Sequence, residues 1–341
     1  MPTRNLCLTF DGTWNTPDKG SDIEDQVETN ARRLHEAAVA DATQETWYDA
    51  GVGSKWYNRV RGGAFGLGLS ENIRQGYKWL IDNYRDGDRV FVFGFSRGAY
   101  TARSLVGLIR NAGLLAPEHK AKVPEAYELY RTRDEGPDTA PAVHFRSRYA
   151  RPGVAVQCLG VWDTVGALGI PLRSFDWFNR RHFEFHDTRL SAMVANAYHA
   201  VAVDEHRADY DVTLWDPPHD PDQHLEQQWF IGAHADVGGG YARRELSDIA
   251  LHWMAERAKS CGLRLDETRL PARVADNYTG TVHDSFADFL FGMYGRFHDR
   301  HYRPVRRTAH GQEAVDDTVA ARREADPDYR PKNPGRTPAE G

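Results

Sequence analysis

The chain has 341 residues, of which 40% are hydrophobic and 27% charged, and its formal net charge is −6. This composition excludes a disordered or fibrous protein, and a small net charge without long blocks of one sign argues against nucleic acid as a partner. Although the length exceeds about 150 residues per domain, large α/β sheets commonly grow past that size. We therefore predict a single domain over residues 1–310.

Short apolar runs alternate with longer segments that carry apolar residues at helical spacing. This pattern is typical of a mainly parallel sheet with helices on both faces. Strands are predicted at 6–10, 45–49, 89–95, 154–162 and 228–233. Helices are predicted at 29–40, 71–84, 98–111, 188–203 and 246–258. The predicted fold class is α/β, similar to an α/β-hydrolase that is decorated by insertions.

Three segments interrupt this alternation and are predicted to be insertions. The segment near 51–70 is rich in glycine, the one near 116–152 is rich in proline and charge, and the one near 171–187 interleaves aromatic and basic residues. Residues 311–341 are charged and proline-rich, so we expect a frayed C-terminal tail there.

The sequence contains no segment that resembles an export signal or a membrane anchor. The N-terminal apolar run is too short for a signal peptide, and no stretch reaches the roughly 20 apolar residues that a membrane-spanning helix needs. The three cysteines are scattered and odd in number, which favours a reducing compartment. We expect a cytoplasmic protein, or one exported by a route without a signal peptide.

Ser96 is the candidate nucleophile. It is the central residue of GFSRG, residues 94–98, which lies between a predicted strand and a predicted helix. In such a G-x-S-x-G turn the glycines let strand and helix pass close together, and the serine is strained with its hydroxyl exposed above the sheet. The alternative interpretation is a glycine-flanked serine in an ordinary turn.

An acid and a base are predicted at the ends of two later strands, in the chain order serine, acid, histidine. Asp163 directly follows the fourth predicted strand, and His234 follows the fifth. We predict that His234 is the general base and that Asp163 orients its imidazole. Three alternatives stay open: Asp163 as a helix N-cap, His234 as a core histidine, and Asp236 with His283 as the acid and base.

Backbone N–H groups from two regions are predicted to bind an oxyanion. The N-terminus of the helix predicted after Ser96 offers backbone N–H groups, that of Arg97 first, to the position where negative charge develops. The loop after the first strand contains Asp11, Gly12 and Thr13, and Gly12 is predicted to supply a second N–H. Alternatively, Asp11 and Thr13 build an Asx-type turn.

The charged run at 204–207 is predicted to be the solvated end of the preceding helix. In the alternative interpretation, Glu205 or Arg207 braces the site from behind.

Two histidine pairs have spacings that metal ligands also use, His182 with His186 and His298 with His301. The first lacks the glutamate of an HExxH motif, and the second flanks an aspartate in a basic stretch. We favour structural roles for both pairs, and the prediction is no metal and no cofactor.

Residues 286–297 crowd aromatic and apolar side chains into one stretch. The basic residues that follow are Arg300, Arg303, Arg306 and Arg307. We favour packing of this stretch onto the domain as a terminal helix. The alternative is peripheral membrane contact, in which the apolar side chains enter a lipid interface and the arginines face anionic headgroups.

Four motifs, GFSRGAYTAR, GVWDTVGALG, HAVAVDEHR and WFIGAHADVGGGY, occur in this order. Together they resemble the catalytic domain of the Tle-type type VI secretion phospholipase effectors, and the similarity runs from Leu6 to about Tyr302. The resemblance implies a serine hydrolase with a Ser–Asp–His triad and phospholipase A-type cleavage of glycerophospholipids. Ser96, Asp163 and His234 hold the matching positions.

We therefore predict a serine esterase or lipase, a carboxylic ester hydrolase that works through an acyl-enzyme. Its expected substrate is a lipid or another hydrophobic ester, bound by aromatic segments near Trp56, at 175–185 and at 286–297. The alternatives are a non-catalytic binding module on a hydrolase scaffold and a metal-dependent hydrolase.

Overall fold

The structure is a computed structural model that describes residues 3–12, 27–51, 64–132, 136–165, 190–218, 220–289, 292–305 and 312–333. The strands are β1 (Asn5–Phe10), β2 (Gln44–Asp49), β3 (Arg89–Phe95), β4 (Leu114–Leu115), β5 (Ala150–Arg151), β6 (Val156–Trp162), β7 (Asn196–Ala202), β8 (His224–Phe230) and β9 (Glu313–Val315). The α-helices are α1 (Asn30–Ala37), α2 (Ala64–Asn83), α3 (Arg97–Ala112), α4 (Val123–Arg131), α5 (Ala140–Tyr149), α6 (His234–Gly238), α7 (Glu245–Ser260), α8 (Ser285–Asp288) and α9 (Asp317–Ala325).

Within the described residues, seven strands form one parallel sheet in the order β2-β1-β3-β6-β7-β8-β9. The remaining two, β4 and β5, form a separate antiparallel pair. The long apolar strands of the centre are buried along nearly their whole length, as in sheets covered on both faces. The carboxyl ends of all seven strands lie at one edge, where side chains of different strands can meet.

Helices cover both faces of this sheet, as predicted. Leu6 and Leu8 of β1 pack in a core with side chains of α2 and α3, whereas Cys7 packs in a second core with α1 and α7. Because neighbouring residues of a strand point to opposite faces, this division follows from the alternation along β1. The α/β class is therefore confirmed.

The helix predicted at 188–203 is wrong, because the structure has strand β7 at Asn196–Ala202. This strand lies between β6 and β8, and Ala197 to Ala202 are all buried. A short run that is buried on both faces has no alternation, so periodicity cannot tell it from a buried helix.

Parts of the predicted insertions and of the predicted frayed tail form helices and strands in the structure. The segment at 116–152 forms α4 and α5, which pack against α3, and β5, which pairs with β4. The expected loop at 51–70 is helical from Ala64 onward, while 52–63 and the insertion predicted near 171–187 lie outside the described residues. The frayed tail is wrong for residues 312–333, because β9 pairs with β8 and α9 follows it.

None of the helices in the described ranges combines the length and apolarity needed to cross a bilayer.

Two glycines are required where β3 and α3 pass close together. A Cβ on Gly98 would lie 2.1 Å from the carbonyl oxygen of Phe10, and one on Gly94 would lie 2.4 Å from that of Gly98. Both obstacles are backbone atoms, so a methyl group can be accommodated only by moving a central strand.

Gly98→Ala is therefore expected to lower the free energy of unfolding by roughly 3 kcal/mol, or to prevent folding, because the added methyl overlaps the backbone of β1. Urea denaturation followed by tryptophan fluorescence measures this change. Gly136→Ala is the control, since no atom lies within 4 Å of a Cβ built there. Equal stability of the two variants would contradict the expectation.

Candidate active site

Ser96 occupies the sharp turn that joins β3 to α3. Its backbone lies in the left-handed region, with φ 57° and ψ −118°, a strained conformation that the flanking glycines make sterically possible. The side chain is 8% exposed, which is less than the expected position above the sheet. The reason is crowding from two other loops: the imidazole of His234 lies against Ser96, and a Cβ on Gly12 would lie 3.2 Å from the Ser96 Cβ.

Ser96, His234 and Asp163 form one hydrogen-bonded row. His234 Nε2 lies 2.8 Å from Ser96 Oγ, and His234 Nδ1 lies 2.6 Å from Asp163 Oδ2. Because an ionised carboxylate only accepts hydrogen bonds, Nδ1 carries the proton and Nε2 is the nitrogen that accepts from the hydroxyl. The row has the order and polarity of a nucleophile, its base and the acid that orients the base.

The three side chains meet because each follows the carboxyl end of a parallel strand, β3, β6 or β8. Asp163 has φ 38°, which turns its carboxylate toward His234. Its N–H donates to Ala200 O at 2.7 Å, and its Oδ1 accepts from Ala202 N at 2.9 Å. Asp163 is thus fixed to the end of β7, and the helix that it was alternatively predicted to cap would lie outside the described residues.

Arg303 is the residue of this site that sequence reasoning missed. Its side chain is completely buried, and it donates to both carboxylate oxygens of Asp163, at 2.7 and 3.1 Å. Its burial contradicts the alternative in which Arg303 faces anionic headgroups, and it agrees with the favoured packing of this region onto the domain. The two residues are 140 positions apart, so no local spacing could have revealed the contact.

The charge of Arg303 determines the protonation of Asp163. Burial raises the pKa of Asp163, but the charge of Arg303 and the hydrogen bond from His234 outweigh burial and hold the pKa below its usual range. Asp163 is therefore ionised at neutral pH and able to stabilise an imidazolium.

The imidazole of His234 is held between two aromatic rings. The Phe95 ring lies 4.7 Å from it, and the Tyr210 ring lies 5.2 Å from it in an edge-on arrangement. These contacts limit rotation of the imidazole, so the distances to Ser96 and Asp163 are preserved.

Glu205 anchors the turn that carries His234. It is fully buried, and its Oε2 accepts from His234 N at 3.3 Å and from Ser285 Oγ at 2.9 Å. Arg207 donates to both of its oxygens at 2.8 Å. The prediction of a solvated helix end at 204–207 is therefore wrong, and the geometry matches the alternative in which these residues lie behind the site.

The buried ion pair of Glu205 predicts a pH-dependent stability. Burial raises its pKa, but the charge and hydrogen bonds of Arg207 lower it from 4.5 to about 2. Because the folded-state pKa is the lower one, this stabilisation is present above pH 4.5 and is lost as the pH falls toward 2. A shift of this size corresponds to about 3 kcal/mol.

We expect Glu205→Gln to lower the free energy of unfolding by about 3 kcal/mol at pH 7, and we expect this difference to narrow as the pH falls to 2. Urea denaturation of both proteins across this pH range measures it. Glu125→Gln removes an exposed ion pair with Lys122 and is expected to change stability by less than about 1 kcal/mol. A pH-independent difference for Glu205→Gln would refute the assignment.

Asp11 organises the loop after β1. Its Oδ1 accepts from Gly12 N at 2.7 Å, and its Oδ2 accepts from Thr29 Oγ1 at 2.7 Å and from Tyr48 OH at 2.5 Å. Burial raises the pKa of Asp11. The Gly12 N–H predicted to face an oxyanion thus donates to the side chain of Asp11. The alternative Asx-type turn on Asp11 would use the N–H of Thr13. Thr13 lies outside the described residues.

The alternative acid and base form a second pair next to the first. His283 Nδ1 lies 2.6 Å from Asp236 Oδ1, and the ring of His283 stacks on Tyr241 at 3.7 Å. Asp236 Oδ2 accepts from Ala233 N at 2.9 Å, immediately before His234. The pair thus shapes the turn that presents His234, and it is His234 that contacts Ser96.

The histidines considered as metal ligands have other contacts where they are described. His298 stacks on Tyr294 at 4.1 Å, and His301 Nε2 lies 3.4 Å from Asp211 Oδ1. His182 and His186 lie outside the described residues. In the described part of the chain, no group of three or more His, Cys, Asp or Glu side chains is placed to hold a metal ion.

The aromatic stretch at 286–297 does not form the expected terminal helix. It begins in the short α8 and continues to a 3-10 turn at Tyr294–Arg296. Phe289 contacts Tyr210, with ring centroids 5.9 Å apart, so the stretch lies next to the row. Met293 is 55% exposed and Phe297 is 73% exposed.

Two solved structures share partial similarity with this chain. An uncharacterised protein from Pseudomonas aeruginosa has a TM-score of 0.44 and 18% identity, with 87% of this chain and 51% of that one covered. The Tle1 effector bound to the VgrG spike of the type VI secretion system has a TM-score of 0.41 and 20% identity, with 71% of this chain and 52% of that one covered.

A relative and a family also match the sequence. An uncharacterised protein of Saccharomyces cerevisiae is 27% identical over 239 residues, which are 63% of this chain and 33% of that protein. The chain thus spans about a third of the curated relative it matches. Residues 4–257 match the family described as "T6SS, Phospholipase effector Tle1-like, catalytic domain". Because that match covers most of the chain, the protein belongs to the Tle1-like family of type VI secretion phospholipase effectors, and it carries the family's catalytic-domain sequence.

Proposed function

We propose that the protein is a serine carboxylic ester hydrolase that cleaves lipid acyl esters through an acyl-enzyme. The observation that carries the proposal is the row in which His234 lies 2.8 Å from Ser96 Oγ and 2.6 Å from Asp163. Membership of a phospholipase effector family supports a lipid as the substrate.

Acylation begins when Ser96 Oγ attacks the ester carbonyl carbon and its proton moves to His234 Nε2. Asp163 stabilises the imidazolium that forms and keeps Nδ1–H in place. The tetrahedral intermediate then collapses, the bond to the alcohol oxygen breaks, and the alcohol leaves with the proton from Nε2.

Deacylation repeats these steps with water. His234 Nε2 takes a proton from a water molecule, whose oxygen attacks the acyl carbon, and Ser96 Oγ leaves with that proton. The products are a carboxylic acid and the regenerated hydroxyl, so neither a cofactor nor a metal takes part in the proposed reaction.

The oxyanion of both intermediates needs hydrogen-bond donors near Ser96. Arg97 is the first residue of α3, and the helix N-terminus favours negative charge there. We assign its backbone N–H to this role. Gly12 is the proposed second donor, and its N–H must leave Asp11 Oδ1 when substrate binds.

Apolar side chains beside the row support a hydrophobic acyl group as the substrate. Phe289 packs on Tyr210, and the exposed side chains of Met293 and Phe297 continue the same stretch, with Arg296 between them. This combination also fits peripheral contact with a lipid interface. The other segments of the expected acyl-binding wall, near Trp56 and at 175–185, lie outside the described residues.

Covalent labelling with a fluorophosphonate probe tests the proposal. We expect the folded wild-type protein to be labelled at Ser96, as identified by mass spectrometry of the labelled peptide. Ser96→Ala is expected to lose all labelling, whereas Ser147→Ala, which changes a serine of α5, is the matched control and keeps it. Absence of labelling in a folded wild-type protein would overturn the proposal and favour a binding module.

Activity on a panel of esters then distinguishes the remaining alternatives. Release of fatty acid from phospholipid vesicles is expected to exceed hydrolysis of short-chain nitrophenyl esters, and both are expected to be absent in Ser96→Ala. Activity that survives Ser96→Ala and is lost with EDTA would instead indicate a metal-dependent hydrolase.

A further inference from the structure

Arg303 brings a permanent positive charge into the interior behind Asp163. Both side chains are completely buried. Arg303 Nη1 lies 2.7 Å from Asp163 Oδ1 and 2.9 Å from Ala202 O, and Nη2 lies 3.1 Å from Asp163 Oδ2. Nη2 also donates to Tyr210 O. The guanidinium thus joins the acid of the row to the end of β7 and to the residue that packs on His234.

The segment that carries Arg303 lies beyond residues 4–257, the part of the chain that matches the family. Asn333 fastens it to the sheet, because Asn333 Nδ2 donates to Arg303 O at 3.0 Å and to Val203 O at 2.9 Å. Tyr329 OH adds a hydrogen bond to Asp204 Oδ2 at 2.8 Å. The C-terminal segment is therefore held against the end of β7, where it can deliver a charge to Asp163.

Asp163 needs a permanent positive charge nearby because the positive charge of its other neighbour, His234, is present only during the reaction. Between turnovers the imidazole of His234 must be neutral to accept the proton of Ser96, so it cannot balance the carboxylate. A buried carboxylate without a cation takes up a proton, and a protonated Asp163 would no longer stabilise the imidazolium.

Building on the proposed hydrolase function, we propose that Arg303 is a positioning residue that keeps Asp163 ionised and lowers the pH at which the His234–Asp163 pair takes up a proton. The direction of this shift in pH follows from charge alone. Whether that proton enters on His234 or on Asp163, the pair becomes more positive, and a nearby buried cation opposes the change.

Other charged and titratable groups also face the pair. Glu205 and Arg207 form an ion pair behind the backbone of His234, so their charges largely cancel. Burial lowers the pKa of His199 to about 3, so this histidine is neutral at the pH of an assay. Burial lowers the pKa of Arg303, but Asp163 and, more weakly, Glu205 and Asp211 raise it above its usual value. The ring of Tyr210 packs on His234. Because none of these residues is substituted in the Arg303 variants, a shift of the pH profile reports on Arg303.

The test is the pH dependence of kcat/KM for the wild-type protein, Arg303→Met and Arg303→Lys. The acid limb of this profile is the low-pH range in which kcat/KM rises with pH. In Arg303→Met the acid limb is expected to move to higher pH by about one to three units, and kcat is expected to fall by roughly 10²–10⁴-fold. Arg303→Lys keeps the charge but loses the two-point contact, so its acid limb is expected to stay near that of the wild type while kcat falls.

Arg4→Met is the matched control for loss of a buried arginine. Arg4 donates to both oxygens of Asp88, at 3.2 and 2.7 Å, next to the amino ends of β1 and β3, away from Ser96. The Arg4→Met substitution is expected to lower the free energy of unfolding without moving the acid limb. An acid limb in Arg303→Met that coincides with those of the wild type and Arg4→Met would overturn the inference.

A double variant keeps the inference testable if Arg303→Met does not fold. Asp163→Asn combined with Arg303→Met removes both buried charges together. If Arg303 acts through the charge of Asp163, this variant has the same kcat as Asp163→Asn alone, and a further large loss would refute that route. Failure of the proposed function is distinguishable, because the wild-type protein would then show no labelling by fluorophosphonate.

Discussion

Ser96→Ala and His234→Ala are each expected to lower kcat for ester hydrolysis by roughly 10⁴–10⁶-fold. In the proposed reaction the two residues act in a single step, because His234 Nε2, which lies 2.8 Å from Ser96 Oγ, receives the proton as the oxygen attacks. Removal of either residue stops this step. The double variant is therefore expected to be no slower than the single variants.

Steady-state rates on a lipid ester, with circular dichroism to verify folding, measure these effects. His144→Ala is the control for His234→Ala, because His144 is an exposed histidine of α5 and is expected to leave kcat unchanged. If His234→Ala retained more than about a tenth of the wild-type kcat, His234 could not be the general base.

Asp163→Asn is expected to lower both activity and stability. The amide has no charge to stabilise the imidazolium, so kcat is expected to fall by roughly 10⁴-fold. Arg303 is left as a buried charge without its partner, and such a change costs about 3–5 kcal/mol of folding free energy. The loss of stability thus comes from the cation that remains.

Urea denaturation and steady-state kinetics on the same samples separate the two effects. Adding Arg303→Met to Asp163→Asn is expected to recover most of the stability, because no uncompensated charge is left, and to recover none of the activity. An Asp163→Asn variant as stable as the wild type would contradict this expectation and show that the carbonyl oxygens of Ala202 and Tyr210 suffice to hold the charge of Arg303.

Several features could be predicted from the sequence because they depend on local patterns. The turn at Ser96 was predictable because a strand, two glycines and a helix follow one another within a few residues. Asp163 and His234 were predictable as neighbours because both lie just beyond the carboxyl ends of predicted strands, and parallel strands end at one edge. The resemblance to phospholipase effectors was confirmed by the family match over residues 4–257.

Predictions failed where burial on both faces removes the periodic signal. The apolar run of β7 has no alternation to separate a strand from a helix, and the error extended to the charged run after it. Glu205 was misread as solvated, because sequence alone does not show that Arg207 and the backbone of His234 satisfy its carboxylate inside the protein.

The sequence by itself determined the α/β class, the turn at Ser96 and the strand ends that carry Asp163 and His234, since each follows from residues close together in the chain. Only the tertiary structure decided which cation balances Asp163. Arg303 and Asp163 are 140 residues apart, and their contact exists because the C-terminal segment folds back onto the end of β7. Long-range electrostatic pairing leaves no periodic or local pattern, so it becomes visible only once the chain has folded.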